Sequence, residues 1–335
     1  MKKRGVGIAA AQYPTGLAGG GDVSQAYVKV NPDGTADLFI GSVDIGQGSK
    51  TVLAQMAAEE LGIPYERVRV HNQGTDTSPI CFGTFASRVT YATGNAVVEA
   101  AREARSILFE AAAPSLQATP EALDAADGKI FIRDDPSRSI AFRDVANMAN
   151  IFMKKMIVGQ GLFARDHSAT DPETGACDPF CTMAWAAQLV EVEVDTDTGQ
   201  VEVLRMVSAF DVGGAINPML VEGQIEGGAV MGLGAALMED LYPNYPTPEG
   251  QPTNLNTYVI PTARDIPEKM ESVIVECPST AGPYGAKGIG EMTANVPAPA
   301  IVSAIHDAVG VWIDEIPVTP ERLLRALEPV NKERR

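Results

Sequence analysis

The sequence predicts a mixed α/β chain of the α+β class, with two subdomains that each pack β-hairpins or a sheet on helices. Three observations carry this. Apolar residues alternate on both sides of turn sequences at Asn31-Pro32-Asp33-Gly34 and at Asp197-Thr198-Gly199, the pattern of half-buried hairpin strands. Other segments carry apolar residues at helical spacing, such as Val52, Leu53, Met56, Ala57 and Leu61, which place one face of a helix against a core. The order hairpin, glycine-rich turn, helix then occurs twice, a weak internal repeat of organisation. Residues 1–160 are expected to form one subdomain and 161–335 the other. The boundary falls where "GQGLFARDHSATDPETGACDPFC" becomes loop-rich.

Taken in order, "SQAYVKVNPDGTADLFIGSV" reads as the first hairpin, and "SKTVLAQMAAEELG" as a helix that Gly62 ends. "YERVRVHNQ" is a short strand. "VTYATGNAVVEAAREARSILFEAA" is a long helix by its alanine, glutamate and arginine content. Thr119-Pro120 opens a short helix over "PEALDAAD", "GKIFIRDD" is a hairpin arm, and "AFRDVANMANIFMKK" is helical. "GQGLFA" around Gly159 reads as loop. "AWAAQLVEVEVDTDTGQVEVLRMVSAFDVG" is the second hairpin, followed by a helix over "MLVEGQIEGGAVMGLGAALME". "KMESVIVEC" is a late strand and "APAIVSAIHDAVG" a helix. Thr319-Pro320-Glu321 starts the last helix, because Thr caps and Pro suits the first helical position.

Length and composition narrow the function. The 335 residues suffice for two domains, and 45% hydrophobic residues supply a core rather than a disordered chain. A net charge of -17 argues against binding a phosphate backbone, which needs clustered Lys and Arg. The 32 glycines fall in clusters, as where backbone packs closely against a substrate or large cofactor. Cys81, Cys177, Cys181 and Cys277 form no paired C-x-x-C motifs, so reduced thiols of a cytoplasmic protein are expected. "MKKRGVGIAAAQ" imitates a signal peptide, but its apolar part is too short and glycine-rich. No stretch approaches the length of a membrane span.

"GSVDIGQGSKT" has the glycine interval of a P-loop, but Gln47-Gly48 stand where Lys and Ser/Thr are required, which excludes a nucleotide triphosphate site. What remains is a strand running into Gly46-Gln47-Gly48 and a helix start, whose free N–H groups suit an anionic or polar ligand. "CFGTFASRVTYATGN" sets Gly83, Thr84, Ala86 and Ser87 before a helix, with Arg88 read as a salt-bridge residue. "DVGGAINPMLVEGQIEGG" repeats the theme with Gln224 and Gly227-Gly228, and "YGAKGIGEMT" with Lys287 and Glu291. One glycine turn is ordinary. Four of them, three with Gln or Glu beside the glycines, point to one large polar cofactor wrapped by backbone. "DTDTG" lacks the further ligands of a calcium loop, and His71, His167 and His306 are isolated. No G-x-S-x-G elbow supports a serine hydrolase.

"GSVDIGQGSKTVLAQMAAEELGI", "GTFASRVTYATGNAV", "FDVGGAINPMLVEGQIEGGAVMGLG" and "GAKGIGEMTANVPAPAIVSAIHDAVG" span nearly the whole chain. In this order they resemble the carboxy-terminal half of the molybdopterin-binding subunit of the xanthine dehydrogenase / aldehyde oxidase family. The resemblance implies that Gln47 lies close to a molybdenum centre, with Gly46 and Gly48 also binding cofactor. It places Phe85 and Ala86 beside the metal at the edge of the substrate pocket, and Ser87, Gln224 and Gly228 on the pterin. Lys287, Gly288 and Gly290 would also bind cofactor. Glu291 would be the active-site base, and the metal would be held through the pterin dithiolene, with no direct protein ligand. In such enzymes a water-derived oxygen on the metal attacks an electron-poor carbon, and a hydride passes to a sulfido or selenido ligand.

The same resemblance implies partners and cofactors. The usual family subunit is longer, and "MKKRGVGIAA" matches an internal stretch of such relatives. This suggests a naturally split, medium molybdopterin subunit like that of bacterial nicotinate dehydrogenase. A large molybdopterin subunit would carry the other half of the site, and an iron–sulfur subunit and an FAD subunit would hold 2Fe–2S centres and flavin. The pterin is expected as the cytosine dinucleotide. The expected activity is hydroxylation of an aromatic N-heterocycle, nicotinate-like or purine-like. Alternatives are a split relative acting on an aromatic CoA thioester or an aldehyde, or a non-catalytic assembly or scaffold subunit.

Overall fold

The computed structural model describes residues 1–17, 22–165, 170–240 and 258–333; His167 lies outside them. Along the chain run β1 (Lys2–Thr15), β2 (Ser24–Val30), β3 (Ala36–Ile40), α1 (Ser49–Leu61), β4 (Val68–His71), α2 (Gly94–Leu116), β5 (Leu123–Ala126), β6 (Lys129–Ile132), β7 (Asp135–Ala141), α3 (Phe142–Asn147) and β8 (Ile157–Phe163). There follow β9 (Thr182–Asp195), β10 (Val201–Asp211), α4 (Pro218–Leu237), β11 (Lys269–Val275), α5 (Met292–Asn295), α6 (Pro297–Val309) and α7 (Pro320–Glu333).

The chain divides into two compact units that are not contiguous halves. One comprises Met1–Tyr13, Met183–Cys277 and Ile289–Arg335; the other comprises Pro14–Thr182 and Pro278–Gly288. This differs from the boundary expected near residue 160, because the glycine-rich stretch read there as loop is strand β8, paired with β2 from Ser24↔Phe163 to Val30↔Ile157. Its glycines are there for packing. A Cβ on Gly159 would lie 1.9 Å from the Ala100 carbonyl oxygen of α2, and one on Gly161 1.8 Å from that of Ala96.

The Pro14–Thr182 unit centres on a sheet of order β4-β3-β2-β8. The predicted hairpin is β2–β3, antiparallel with Val28 opposite Leu38, and β4 adds in parallel to β3 after α1. Val28, Leu38 and Ile40 are fully buried, as are Leu53 and Leu61 of α1 and Ala104 and Leu108 of α2. Each large aliphatic contributes about 1.5–3 kcal/mol on burial. The helix expected over residues 120–127 is instead a short 3-10 turn, Pro120–Ala122, followed by β5. The Asp127-Gly128 pair decides this. Both residues have positive φ, 50° and 72°, and they join Ala126 to Lys129 as a two-residue hairpin.

The other unit repeats the scheme with a sheet of order β1-β9-β10-β11. The hairpin β9–β10 is followed by α4, and β11 returns in parallel to β10. Helices α4, α6 and α7 pack on one face through Val190, Val192, Met206, Leu233, Ile301, Ile305 and Leu323. Asn217 caps α4 by accepting from the Leu220 N–H at 3.2 Å, with Pro218 in the first turn. Thr319 accepts from the Arg322 N–H at 3.3 Å, as its capping position predicts. Strand β1, which the pattern alone did not reveal, uses the glycine device of β8: a Cβ on Gly5 would lie 2.2 Å from the Ala304 carbonyl of α6, and one on Gly7 2.1 Å from that of Ala300.

Candidate active site

Within the Pro14–Thr182 unit three of the four glycine motifs meet. The loop after β3 carries Val43 to Gly48. The Thr84 hydroxyl accepts from the Val43 N–H at 3.1 Å and donates to the Val43 carbonyl at 2.7 Å, which ties this loop to the "GTFASR" segment. Gly83, at φ +124°, leaves room for the Phe85 ring, which is 42% exposed. Ala86 and Ser87 both adopt left-handed backbone, φ 51° and 48°, which costs energy in any residue but glycine. The Ala86 carbonyl accepts from the Gly16 N–H at 2.9 Å. Gly288 sits against Ser87, where a Cβ would lie 1.6 Å from the Ser87 carbonyl oxygen, and its N–H donates to the Thr15 hydroxyl at 3.2 Å.

Arg88 holds this arrangement from beneath. It is fully buried and paired with the buried carboxylate of Asp22. It also donates to the Gly83 carbonyl at 2.9 Å, the Val23 carbonyl at 2.9 Å, the Ser24 hydroxyl at 2.7 Å and the Cys81 sulfur at 3.1 Å. Every donor direction has a partner, so its role is structural, as the sequence suggested. Burial raises the Cys81 thiol pKa, but hydrogen bonding at Gly83 and the Arg88 charge outweigh it, so the thiol lies below its usual value. Segment 278–288 is fastened to the same unit by Tyr284, whose hydroxyl donates to the buried Glu60 carboxylate at 3.0 Å. Burial and that carboxylate push the phenol far above its ordinary range. Asn95 donates to the Ala281 carbonyl at 3.1 Å.

The first motif corrects one expectation. The start of α1 does not offer all its N–H groups to a ligand, because Asp44 accepts from the N–H of Gly46 at 2.9 Å, Gly48 at 3.4 Å and Lys50 at 3.0 Å. Burial raises the Asp44 pKa; these donors overcome it and hold the carboxyl below its usual value. The Gln47 amide closes the same loop, accepting from the Ile45 N–H at 2.7 Å and donating to the Val43 carbonyl at 3.2 Å and the Ser49 hydroxyl at 3.1 Å. Gly46 remains open: φ is +108° and nothing lies within 4 Å of its Cβ position.

The other unit joins the remaining motif to Glu291. A Cβ on Gly228 of α4 would lie 2.0 Å from the Thr293 hydroxyl, so Gly228 seats α5 rather than facing open space. Thr293 donates to the Gly290 carbonyl at 2.8 Å, and Ile225, Ile289 and Met292 share one buried cluster. Glu291 stands exposed at the N-cap of α5. Gln224, half-buried, lies one turn before Gly228 on the same side of α4. The sequence missed Gly223. It and Gly227 have nothing within 4 Å of a Cβ, and their spacing of four residues puts both on one helix face. Lys287 is half-buried beside Gly288. Among the described residues, no group of three His, Cys, Asp or Glu is placed to hold a metal ion, and no helix is long and apolar enough to cross a membrane.

Open glycine surfaces on a loop and on a helix put the chain in the class of proteins that bring backbone against a large ligand. Residues 1–267 match the model of the molybdopterin cofactor-binding domain; the chain belongs to that family and corresponds to the carboxy-terminal half of the molybdopterin-binding subunit in the xanthine dehydrogenase / aldehyde oxidase group. It is 32% identical over its whole length to 41% of the 6-hydroxypseudooxynicotine dehydrogenase complex subunit gamma of Paenarthrobacter nicotinovorans. It is 33% identical, over 96% of its length, to 42% of the xanthine dehydrogenase molybdenum-binding subunit of Escherichia coli O157:H7. In structure it is similar to quinoline 2-oxidoreductase from Pseudomonas putida 86, with TM-score 0.85, 28% identity, and coverage of 98% of this chain and 42% of that one. It is also similar to the aldehyde oxidoreductase of Desulfovibrio gigas, with TM-score 0.79, 30% identity, and coverage of 98% and 33%. The chain thus spans about a third to two fifths of the length of the curated relatives it matches.

The residues present fit such a cofactor. A flat, rigid pterin needs surfaces without side chains; Gly46 leaves one open in the Pro14–Thr182 unit, and Gly223 and Gly227 leave another open on α4. The first of these units adds the hydroxyl of Ser87 and the ammonium of Lys287 on its other motifs, and α4 adds the amide of Gln224 beside Gly223.

Proposed function

We propose that the chain forms part of the molybdopterin site of a multisubunit molybdenum hydroxylase acting on an aromatic N-heterocycle. The observation that carries the reading is the seat of the G-x-G-E motif. Gly228 and Thr293 lock α5 onto α4 and leave the Glu291 carboxylate at an exposed helix start, one short segment after Gly288. When bound, the cofactor supplies the two-electron oxidation of a substrate carbon, with oxygen drawn from water. Gly46, Gln47 and Gly48, with Ala86, Ser87, Gln224, Lys287, Gly288 and Gly290, would hold it, and Gly223 and Gly227 would let it lie against α4. Phe85 would border the substrate as an aromatic wall. Glu291 would accept a proton at a carboxylate oxygen and return it to solvent, the work of a general base.

Support for a heterocyclic substrate comes from two relatives whose names specify quinoline and 6-hydroxypseudooxynicotine. Similarity to an aldehyde oxidoreductase favours an aldehyde as the second reading. The remainder of the molybdopterin subunit, 2Fe–2S and FAD carriers, and the cytosine dinucleotide form of the pterin complete the proposal. The test is metal analysis of the purified complex with a screen of heterocycles and aldehydes for dye reduction. Molybdenum together with heterocycle-dependent reduction is the expected result. A complex without molybdenum removes the enzymatic reading, and reduction by aldehydes alone selects the second.

A further inference from the structure

Among the described residues, helices cover one face of the β1-β9-β10-β11 sheet. Helices α4, α6 and α7 pack against Val190, Val192, Val194 and Met206. Side chains alternate across a strand, so the residues between these point to the other face, where large apolar groups lie open. Val6 is 49% exposed, Ile8 67%, Trp185 57%, Val273 44% and Val275 38%. Between them, Ala187 pairs with Ala209 and Ala209 with Val273, which keeps the middle of the band flat. A half-solvated antiparallel sheet normally alternates apolar-in with polar-out. A contiguous apolar band on the outer face marks an interaction surface instead.

The opposite end of the same face is charged but self-satisfied. Lys2 and Arg4 both bind Glu193, at 2.6 and 3.1 Å, and Arg205 binds Glu191 at 3.3 Å and Glu271 at 2.8 Å. These six charges pair among themselves, and exposed Lys269 stands at that charged end, away from Val273 and Val275, so what covers the band meets an uncharged apolar surface. A second copy is disfavoured, because each chain carries a net charge of -17 and two would repel. The solved and curated relatives, by contrast, carry more than half their length beyond the region this chain matches.

We propose that this open sheet face docks against the remaining part of the molybdopterin-binding subunit, with Trp185 as its central anchor. Aromatic residues in desolvated positions dominate such interfaces. The proposal rests on the reading that the chain works within a larger molybdopterin subunit. It is tested on the purified native complex by hydroxyl-radical footprinting, each tryptophan normalised to its own rate after denaturation, combined with lysine crosslinking. Trp185 is expected to react more than about tenfold more slowly than when denatured, with Lys2 or Lys269 crosslinked to the rest of the subunit. Retention of about half the denatured rate, as its exposure in the chain dictates, overturns the proposal. So does protection accompanied only by crosslinks between two copies. Molybdenum content is measured on the same preparation. Its absence would remove the functional reading while the footprint still decides the docking face.

Discussion

Glycines of different motifs do different work. Gly288 has no room for a methyl group beside the Ser87 carbonyl, whereas Gly223 and Gly227 have nothing near them. Gly288→Ala is therefore expected to destabilise the protein by about 1–3 kcal/mol, the cost of overpacking, seen as a lower Tm. Gly223→Ala and Gly227→Ala should leave Tm nearly unchanged or raise it slightly, since alanine favours helix, while lowering molybdenum retention in the complex. Equal Tm losses at all three would contradict the distinction. Arg88→Ala leaves the buried Asp22 carboxylate unpaired and should cost about 3–5 kcal/mol, measured by chemical denaturation. Asp44 has a depressed folded-state pKa, so its contribution to the α1 loop is present above the unfolded pKa of about 3.9 and is lost as pH falls through the lower folded value. Hydrogen exchange at Gly46, Gly48 and Lys50, followed as a stability rather than a raw rate, should show that loss, and Asp44→Asn should abolish the pH dependence. At this scale the sequence made the turn glycines and the buried ion pair of Arg88 legible. It could not show that Asp44 occupies N–H groups that a helix start otherwise offers a ligand, because that depends on how the loop curls back.

Elements with a side-chain period were legible, and elements built on glycine were not. Both hairpins and the helices α1, α2, α4, α6 and α7 follow from alternation, helical spacing and capping residues. Strands β1 and β8 carry Gly5, Gly7, Gly159 and Gly161 on their inner faces, where an apolar side chain is normally the signal. The reason is shared: in each unit a Gly-x-Gly strand receives an alanine-bearing helix, Ala96 and Ala100 on β8, Ala300 and Ala304 on β1. Gly159→Val is accordingly expected to push α2 from the sheet and destabilise by more than about 1–3 kcal/mol. A neutral outcome in urea unfolding would refute this packing. The absent helix at residues 120–127 has a local cause, since the Asp127-Gly128 turn outweighs a weak helical start.

For the whole molecule, the repeat seen in the order of segments is a repeat of topology: a hairpin, a helix and a parallel strand in each sheet. The contiguous halves anticipated for it were not found, because Pro14–Thr182 recruits Pro278–Gly288. That excursion delivers the chain to Gly288 and returns it at Ile289, between the two glycines of the G-x-G-E motif and two residues before Glu291. The proposed role of Glu291 is to serve a cofactor held by the glycine motifs. Its most direct test is side-by-side measurement of molybdenum content and turnover in the native complex and in Glu291→Gln. Equal molybdenum and turnover lower by roughly 100- to 10,000-fold are expected. Undiminished turnover in the variant, with molybdenum present, would contradict it.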